Sequence, residues 1–155
     1  MEYEIHSKVG KQKRMLERLM PGYLKHLGIA NAKGFITIVV EKRLDREGGA
    51  IRNPEIPELY YIVVSGALSQ RLLATAVAHE LVHIKQMVKG QLRTTIDGRF
   101  FWCGKEIFPA DMDYFDLPWE VQAYAKQEIT MIRAAEAFMK TTGEVRNITA
   151  ALEAQ

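Results

Sequence analysis

The strongest constraint on this chain is a six-residue stretch, AHELVH, at positions 78–83. On an α-helix, residues four apart lie on one face, about 40° round and about 6 Å along the axis, so His79 and His83 can direct their imidazoles at one metal ion. Glu80 lies one step round the helix, beside such an ion. The pattern suits Zn²⁺, which takes neutral imidazole nitrogens and keeps one position open for water at catalytic sites. Two ligands are too few, so a third must come from elsewhere in the chain.

The residues around this stretch predict a buried helix from about Leu68 to Lys89. Apolar side chains recur almost all round that helix, which is typical of a helix in a protein interior. Two imidazoles and a carboxylate within one buried turn would each need a partner, because unpaired buried polar groups are destabilising. A metal ion supplies that partner to all three. We therefore favour a metal site over histidines that are only hydrogen-bonded in the core.

Length and composition fit a single globular domain over residues 1–155. The chain has 48% hydrophobic and 26% charged residues, and it is long enough to bury most of its apolar surface. Its net charge of +2 is too small to indicate a nucleic-acid surface. The basic residues cluster only once, and a solvated helix face is favoured there over a phosphate-binding patch: Lys8, Lys11, Lys13 and Arg14.

Several features predict a soluble, cytoplasmic protein. Cys103 is the single cysteine, which excludes an internal disulfide and is consistent with a reducing compartment. The first residues lack the basic and then apolar pattern of a secretory signal, and the apolar runs are too short to span a bilayer. We expect no membrane partner, and the sequence leaves the oligomeric state open.

The remaining pattern predicts an α+β fold with a small, mainly antiparallel sheet. Periodicity and turn residues indicate the following order: an N-terminal helix at about 8–27, kinked at Pro21 or divided there into two; strands at 35–41, 50–52 and 59–65, the second a short edge strand; the buried helix; a hairpin insertion within 92–107; an acidic loop at 108–116; a second long helix at about 117–140; and a short helix at 144–155.

Two of these elements carry further predictions. The Asp97-Gly98 pair indicates the hairpin turn, and the hairpin's aromatic side chains are expected to pack on the domain, with a substrate cleft as the alternative. The apolar spacing of the second long helix predicts a core-facing stripe made of Val121, Ala125, Ile129, Ile132, Ala135 and Met139.

The third ligand is expected to be a carboxylate, because no histidine follows His83. Seven downstream residues are candidates: Asp97, Glu106, Asp111, Asp113, Asp116, Glu120 and Glu128. Glu120 is favoured because it lies in the first turn of an apolar helix, a rigid platform that can pack against the first. Ala123, on the same stripe, is small enough to let the helices approach closely. Asp113 and then Asp111 are the alternatives.

With Glu120 inside LPWEVQAY at 117–124, the chain resembles the gluzincin-type zinc metallopeptidases, particularly their minimal single-domain members in bacteria and phages. The order of helix, small sheet, ligand helix, insertion and second ligand helix is similar to the SprT-like and ImmA/IrrE-like domains. SprT-like domains usually have a third histidine, which this chain lacks. Many gluzincins carry an acidic residue where this chain has Tyr124. The resemblance implies a zincin-like fold and proteolysis, and it leaves the substrate open.

These residues predict a hydrolytic mechanism. His79, His83 and Glu120 would hold Zn²⁺ with a water in the fourth position, and Glu80 would act as the general base on that water. Tyr124 would either stabilise the oxyanion or be a packing tyrosine. In zincins an edge strand commonly receives the substrate, and here that strand would lie near residues 50–52.

Two other functions compete with proteolysis. A metal-binding interaction or regulatory module could use the same scaffold without cleaving peptides, although the intact Glu80 argues against this. A deformylase-like hydrolase also uses an H-E-x-x-H motif. That family resembles this chain less, because its cysteine ligand precedes the helix whereas Cys103 follows it.

Overall fold

A computed structural model describes residues 1–143, and in that range the chain forms an α+β fold, as the sequence predicted. The elements are β1 (Glu2–Ser7), α1 (Gly10–Leu27), β2 (Phe35–Glu41), β3 (Gly48–Arg52), β4 (Leu59–Ser65), α2 (Gln70–Val88), β5 (Leu92–Thr94), β6 (Phe100–Trp102), β7 (Lys105–Ile107) and α3 (Pro118–Thr142). Two 3₁₀ turns, Pro109–Asp111 and Tyr114–Asp116, interrupt the loop before α3. The helix predicted for 144–155 lies outside the described residues.

The main sheet has the strand order β1-β2-β4-β3 and is mixed, so the prediction of a mainly antiparallel sheet was wrong. β1, β2 and β4 are parallel, and only β3 runs antiparallel, at the edge beside β4. The β1–β2 pair is parallel because α1 returns the chain so that β2 enters the sheet in the direction of β1, and β2 and β4 are parallel because β3 runs back between them in the sequence. Ile5, Ile38 and Ile62 lie side by side across the three parallel strands and are buried.

β1 is the strand that the sequence analysis missed. Its polar residues Glu2, Glu4 and His6 are exposed, and Ile5 is its one buried side chain. The signal available in the sequence was the alternation of polar and apolar residues over Glu2-Tyr3-Glu4-Ile5-His6, which is typical of a half-buried strand.

α1 is one helix with Pro21 inside it, so the alternative of two short helices was wrong. Its last turn ends at Gly28, which adopts the left-handed conformation with φ of 71°. Gly22 allows α1 to approach α3 closely, since a Cβ atom there would lie 2.7 Å from the Ala134 Cα. A larger residue at this position would push the two helices apart.

α2 lies at the centre of the fold and packs against α1, α3, β3 and β4. Ser69 caps its first turn by accepting a hydrogen bond from the Leu72 amide. Its side chains are buried on nearly every face, which confirms the predicted buried helix. The Tyr23 hydroxyl of α1 donates a buried hydrogen bond of 2.7 Å to the Ala74 carbonyl and ties α1 to α2. α2 is therefore held in place from several sides.

The predicted hairpin insertion is a three-stranded antiparallel sheet, β5-β6-β7. Its Phe100 ring stacks on Trp119 of α3 with centroids 5.5 Å apart, and Trp102 lies 6.5 Å from the same indole. These aromatic rings pack on the domain, as expected. The small sheet thereby supports the first turn of α3.

The buried stripe of α3 agrees with the predicted one only in the C-terminal half of the helix, where Ala135 and Met139 are buried and Ile132 packs partly buried against the core. Val121 is 52% exposed and Ile129 is 40% exposed, so both predictions were wrong, and Ala125 is exposed as well. The buried side chains are Trp119, Glu120, Ala123, Thr130, Met131, Ala134, Ala135 and Met139. The helix is therefore turned so that Glu120 and Ala123 are buried.

Two further predictions concern the surface. The side chains of the basic cluster Lys8, Lys11, Lys13 and Arg14 are exposed at the start of α1, and Cys103 is an exposed free cysteine. Within residues 1–143, no helix has both the length and the apolar character needed to cross a bilayer.

Candidate metal centre

Three buried side chains from two helices converge at one point. The Nε2 atoms of His79 and His83 lie 3.2 Å apart, and the Glu120 carboxylate lies 3.0 Å from the first and 3.3 Å from the second. Their exposed fractions are only 6%, 7% and 6%. One ligand atom from each residue lies within 4.8 Å of the other two, so the three side chains together could hold a metal ion.

Helix packing brings Glu120 to the histidines. α2 and α3 pack along their lengths, and the fully buried Ala123 leaves room for that approach. Within residues 1–143 no other group of three potential ligands forms. The alternatives Asp111 and Asp113 are exposed in the loop, and the remaining histidines, His6 and His26, are exposed as well.

The donor set fits a divalent cation such as Zn²⁺. Two imidazole nitrogens and one carboxylate are ligands that this ion accepts, and they leave a coordination position for water or substrate. If neither Nε2 atom carries a proton, the two imidazoles and the ionised carboxylate bring lone pairs together in a buried space. Only a cation or a shared proton makes that arrangement favourable.

Electrostatics keep the Glu120 carboxylate ionised. Its burial acts to raise the pKa of Glu120, but hydrogen bonds with His79 and His83 outweigh that effect and lower the pKa to about 2. Burial likewise acts to lower the pKa of His83, whereas its hydrogen bonds with Glu120 and Gln86 raise it, and the net direction is upward. In the absence of a metal ion, a proton shared between His83 and Glu120 would therefore lie between these two side chains, where the ion would bind.

Glu80 is buried beside this group, with 6% of its surface exposed. Burial raises the pKa of its carboxyl, and the nearby His83, His79 and Arg46 oppose that shift only in part. A carboxylate whose pKa is raised is a better base. Gly48 of β3 leaves space for it, since a Cβ atom there would lie 3.1 Å from the Glu80 Oε1.

A cleft of about 310 Å³ opens onto the site. Arg46 and Gly48 line it on the β3 side, His79 and Glu80 line it from α2, and Tyr124 lies on the α3 side. The Tyr124 ring centroid is 4.6 Å from that of His79, and 39% of the residue is exposed. Tyr124 therefore borders the cleft and is not a buried packing residue.

Sequence reasoning missed Tyr114, which also lines this cleft. Burial and a hydrogen bond with Glu120 both raise the pKa of the Tyr114 hydroxyl. Its neighbour Phe115 contacts Tyr124, with ring centroids 5.6 Å apart. The aromatic pair that follows Asp113 in the loop was the signal available in the sequence.

Sequence reasoning also missed two glutamines that contact the histidines. The Gln127 Oε1 lies 2.9 Å from the His79 Nδ1, and the Gln86 Oε1 lies 2.9 Å from the His83 Nδ1. Gln86 could have been found by its spacing, because it lies three residues after His83 and therefore on the same helix face. Gln127 lies seven residues after Glu120, two turns along the same face of α3.

A larger cleft, of about 670 Å³, lies where β1 and β2 end and α1 begins. Its lining includes the cationic residues Lys8, Lys13 and Lys42, and none of the three candidate ligands takes part in it. The smaller cleft is therefore the one associated with the metal centre.

Comparison of the chain with models of protein families, with curated proteins and with solved structures gave no match. What the protein does therefore has to be inferred from the chemistry of the metal centre and of the cleft that opens onto it.

Proposed function

We propose that this protein is a zinc-dependent metallopeptidase with a zincin-like fold. His79, His83 and Glu120 hold the ion, and Glu80 is the general base. The observation that carries the proposal is the convergence of two imidazole nitrogens and a carboxylate, all within 4.8 Å, beside a second buried carboxylate that lines the same cleft. A site built only to hold an ion has no use for that second carboxylate.

A bound ion would supply a water of lowered pKa and would polarise the carbonyl group of the substrate. The role of Glu80 would be to accept a proton from the attacking water and then to donate it to the leaving amine as the peptide C–N bond breaks. The raised pKa of Glu80 suits both transfers. Tyr124, at the border of the cleft, donates a hydrogen bond to the carbonyl oxygen as negative charge develops there.

The position of β3 supports an extended peptide or protein as the substrate. β3 is an edge strand of the main sheet, with β4 as its one partner strand in the described part of the chain. Its first residue, Gly48, lies beside Glu80. A peptide added to this edge by backbone hydrogen bonds would pass along the cleft, with a carbonyl near the metal centre.

Cleavage of a broad peptide library by zinc-loaded protein tests this proposal. We expect wild-type protein to cleave, and Glu80→Gln to keep zinc in a 1:1 ratio while losing hydrolysis. Glu106→Gln is the matched control, because this carboxylate pairs with Arg99 on the exposed small sheet. Turnover by Glu80→Gln equal to wild type would exclude the general-base role. A zinc-loaded protein that cleaves nothing would favour the non-proteolytic interaction module.

A further inference from the structure

Each candidate metal-binding imidazole has its other ring nitrogen against a glutamine side chain. The Nδ1 of His83 lies 2.9 Å from the Gln86 amide oxygen, and the Nδ1 of His79 lies 2.9 Å from the Gln127 amide oxygen. An amide oxygen only accepts hydrogen bonds, so the nitrogen facing it must carry a proton. The Nε2 atom of each neutral ring is then left with its lone pair.

The orientation of the Gln86 amide is determined by its other contacts. Its nitrogen donates to the Trp119 carbonyl at 3.0 Å and to the Gln122 Oε1 at 3.1 Å. Because a backbone carbonyl only accepts, the NH₂ group must face Trp119 and the oxygen must face His83. Gln86 is fully buried, so water does not replace either contact. This amide therefore imposes one tautomer on the His83 ring.

The same amide joins the two helices next to the third ligand. Trp119, whose carbonyl receives the hydrogen bond, directly precedes Glu120 in the first turn of α3. Glutamine suits this position because it both accepts from an imidazole and donates to a carbonyl. A carboxylate here would set a charged oxygen against the carbonyl oxygen of Trp119, which is unfavourable in a buried space.

We propose that Gln86 and Gln127 are positioning residues of the metal centre, which hold both imidazoles as Nδ1–H tautomers with the Nε2 lone pairs directed at the ion. Gln86 has a second role, since it sets the turn that carries Glu120 against His83. This inference rests on the metal site of the proposed function. It adds residues that determine how tightly that site binds, because partners of ligating histidines typically change metal affinity about 10- to 100-fold.

Three variants test the roles of the glutamines: Gln86→Met, Gln127→Met and, as the matched control, Gln12→Met. Gln12 is a buried glutamine of α1 whose amide donates to the Gly66 carbonyl, and neither imidazole contact involves it. Competition with a chromophoric chelator reports zinc affinity. Proton–nitrogen-15 spectra of the zinc-loaded protein report the Nδ1–H groups, whose exchange with water is slowed by a hydrogen bond. We expect Gln86→Met and Gln127→Met each to bind zinc about 10- to 100-fold more weakly and to speed the exchange of the Nδ1 proton of its histidine. Gln12→Met should resemble wild type in both measurements.

Wild-type affinity and wild-type exchange of the Nδ1 protons in Gln86→Met and Gln127→Met would overturn the proposal. If Gln86→Met does not fold, the partly exposed Gln127 tests the same claim at His79. Gln127→Glu keeps an acceptor and should restore both the slow exchange and the affinity, whereas a loss equal to that of Gln127→Met would show that packing is responsible. Both measurements use bound zinc and no substrate, so a protein that binds zinc and cleaves nothing still gives an interpretable result.

Discussion

Zinc is expected to raise the melting temperature of the metal-free protein by an amount that the free zinc concentration determines. The three ligand atoms lie within 4.8 Å of one another because α2 and α3 pack together. The unfolded chain has no such arrangement, so the ion binds the folded state and adds its binding free energy to the free energy of unfolding.

The size of the effect follows from mass action. At a free zinc concentration about 1,000 times the dissociation constant, the free energy of unfolding rises by about 4 kcal/mol. In a domain of this size each kcal/mol moves Tm by about 2–4 °C, so the expected rise is about 8–16 °C. If removal of the Glu120 carboxylate weakens binding about 1,000-fold, the same zinc concentration adds only about 0.4 kcal/mol, or about 1–2 °C.

Thermal unfolding, followed by circular dichroism in zinc buffers of fixed free concentration, measures these shifts. Wild type, Glu120→Ala and Asp113→Ala form the series, because Asp113 is the exposed loop carboxylate that the sequence left as an alternative ligand. We expect Asp113→Ala to respond like wild type. An undiminished zinc response in Glu120→Ala would refute the ligand assignment, and a lost response in Asp113→Ala would transfer the role to that residue.

Three further predictions concern the cleft. Tyr124→Phe should lower kcat about 100-fold with little change in KM, because a hydroxyl that donates to the oxyanion acts mainly in the transition state; kinetics equal to wild type would exclude this role. Gly48→Ala should lower the free energy of unfolding by about 1–3 kcal/mol, measured by denaturant unfolding, because its Cβ would lie 2.9 Å from the Val63 carbonyl oxygen. Gly49→Ala is the control and should change the free energy of unfolding little, because the atom nearest to its Cβ belongs to the flexible Arg46 side chain, 3.6 Å away. Equal stabilities would contradict that geometry. The contribution of the Glu120–His83 pair to the stability of the metal-free protein should be largest between about pH 4.5 and 6.5, measured as the difference in Tm between wild type and Glu120→Ala against pH: the lowered pKa of Glu120 contributes stability above its ordinary value of 4.5 that is lost toward pH 2, and the raised pKa of His83 contributes stability below its ordinary value of 6.5 that is lost at higher pH. A difference in Tm that grows steadily above pH 6.5 would refute that coupling.

Local patterns in the sequence were sufficient to predict much of the fold. Apolar residues at helical spacing predicted the three α-helices of residues 1–143, and the left-handed glycines Gly28 and Gly90 lie where the first two end. The β-branched runs predicted β2 and β4, and the short edge strand predicted near residues 50–52 is β3, which lies beside β4. These features depend on neighbouring residues in the chain, which is why periodicity and turn residues reveal them.

Strand direction could not be read in the same way. β1 has only Ile5 buried, and its role as a parallel partner of β2 depends on α1 returning the chain to the same end of the sheet. The buried stripe of α3 was also misjudged, because apolar residues such as Val121 and Ile129 continue the helical spacing on the exposed side. Spacing identifies an amphipathic helix, and the packing of its partners decides which face is buried.

The sequence by itself determined that the imidazoles of His79 and His83 lie on one helix face with the Glu80 carboxylate beside them. The three residues lie within about one helical turn, and the geometry of that turn is the same in every α-helix. Only the tertiary structure brought Glu120, out of seven acidic candidates, to the two histidines, placed Tyr114 and Tyr124 in the lining of the cleft, and set Gln127 against the His79 ring. Those contacts cross from one helix or loop to another, and their distances depend on how closely α2 and α3 pack. The burial of His79, His83 and Glu120 results from this packing and cannot be read from any one segment of the sequence. Buried together, the three side chains need a cation or a shared proton between them.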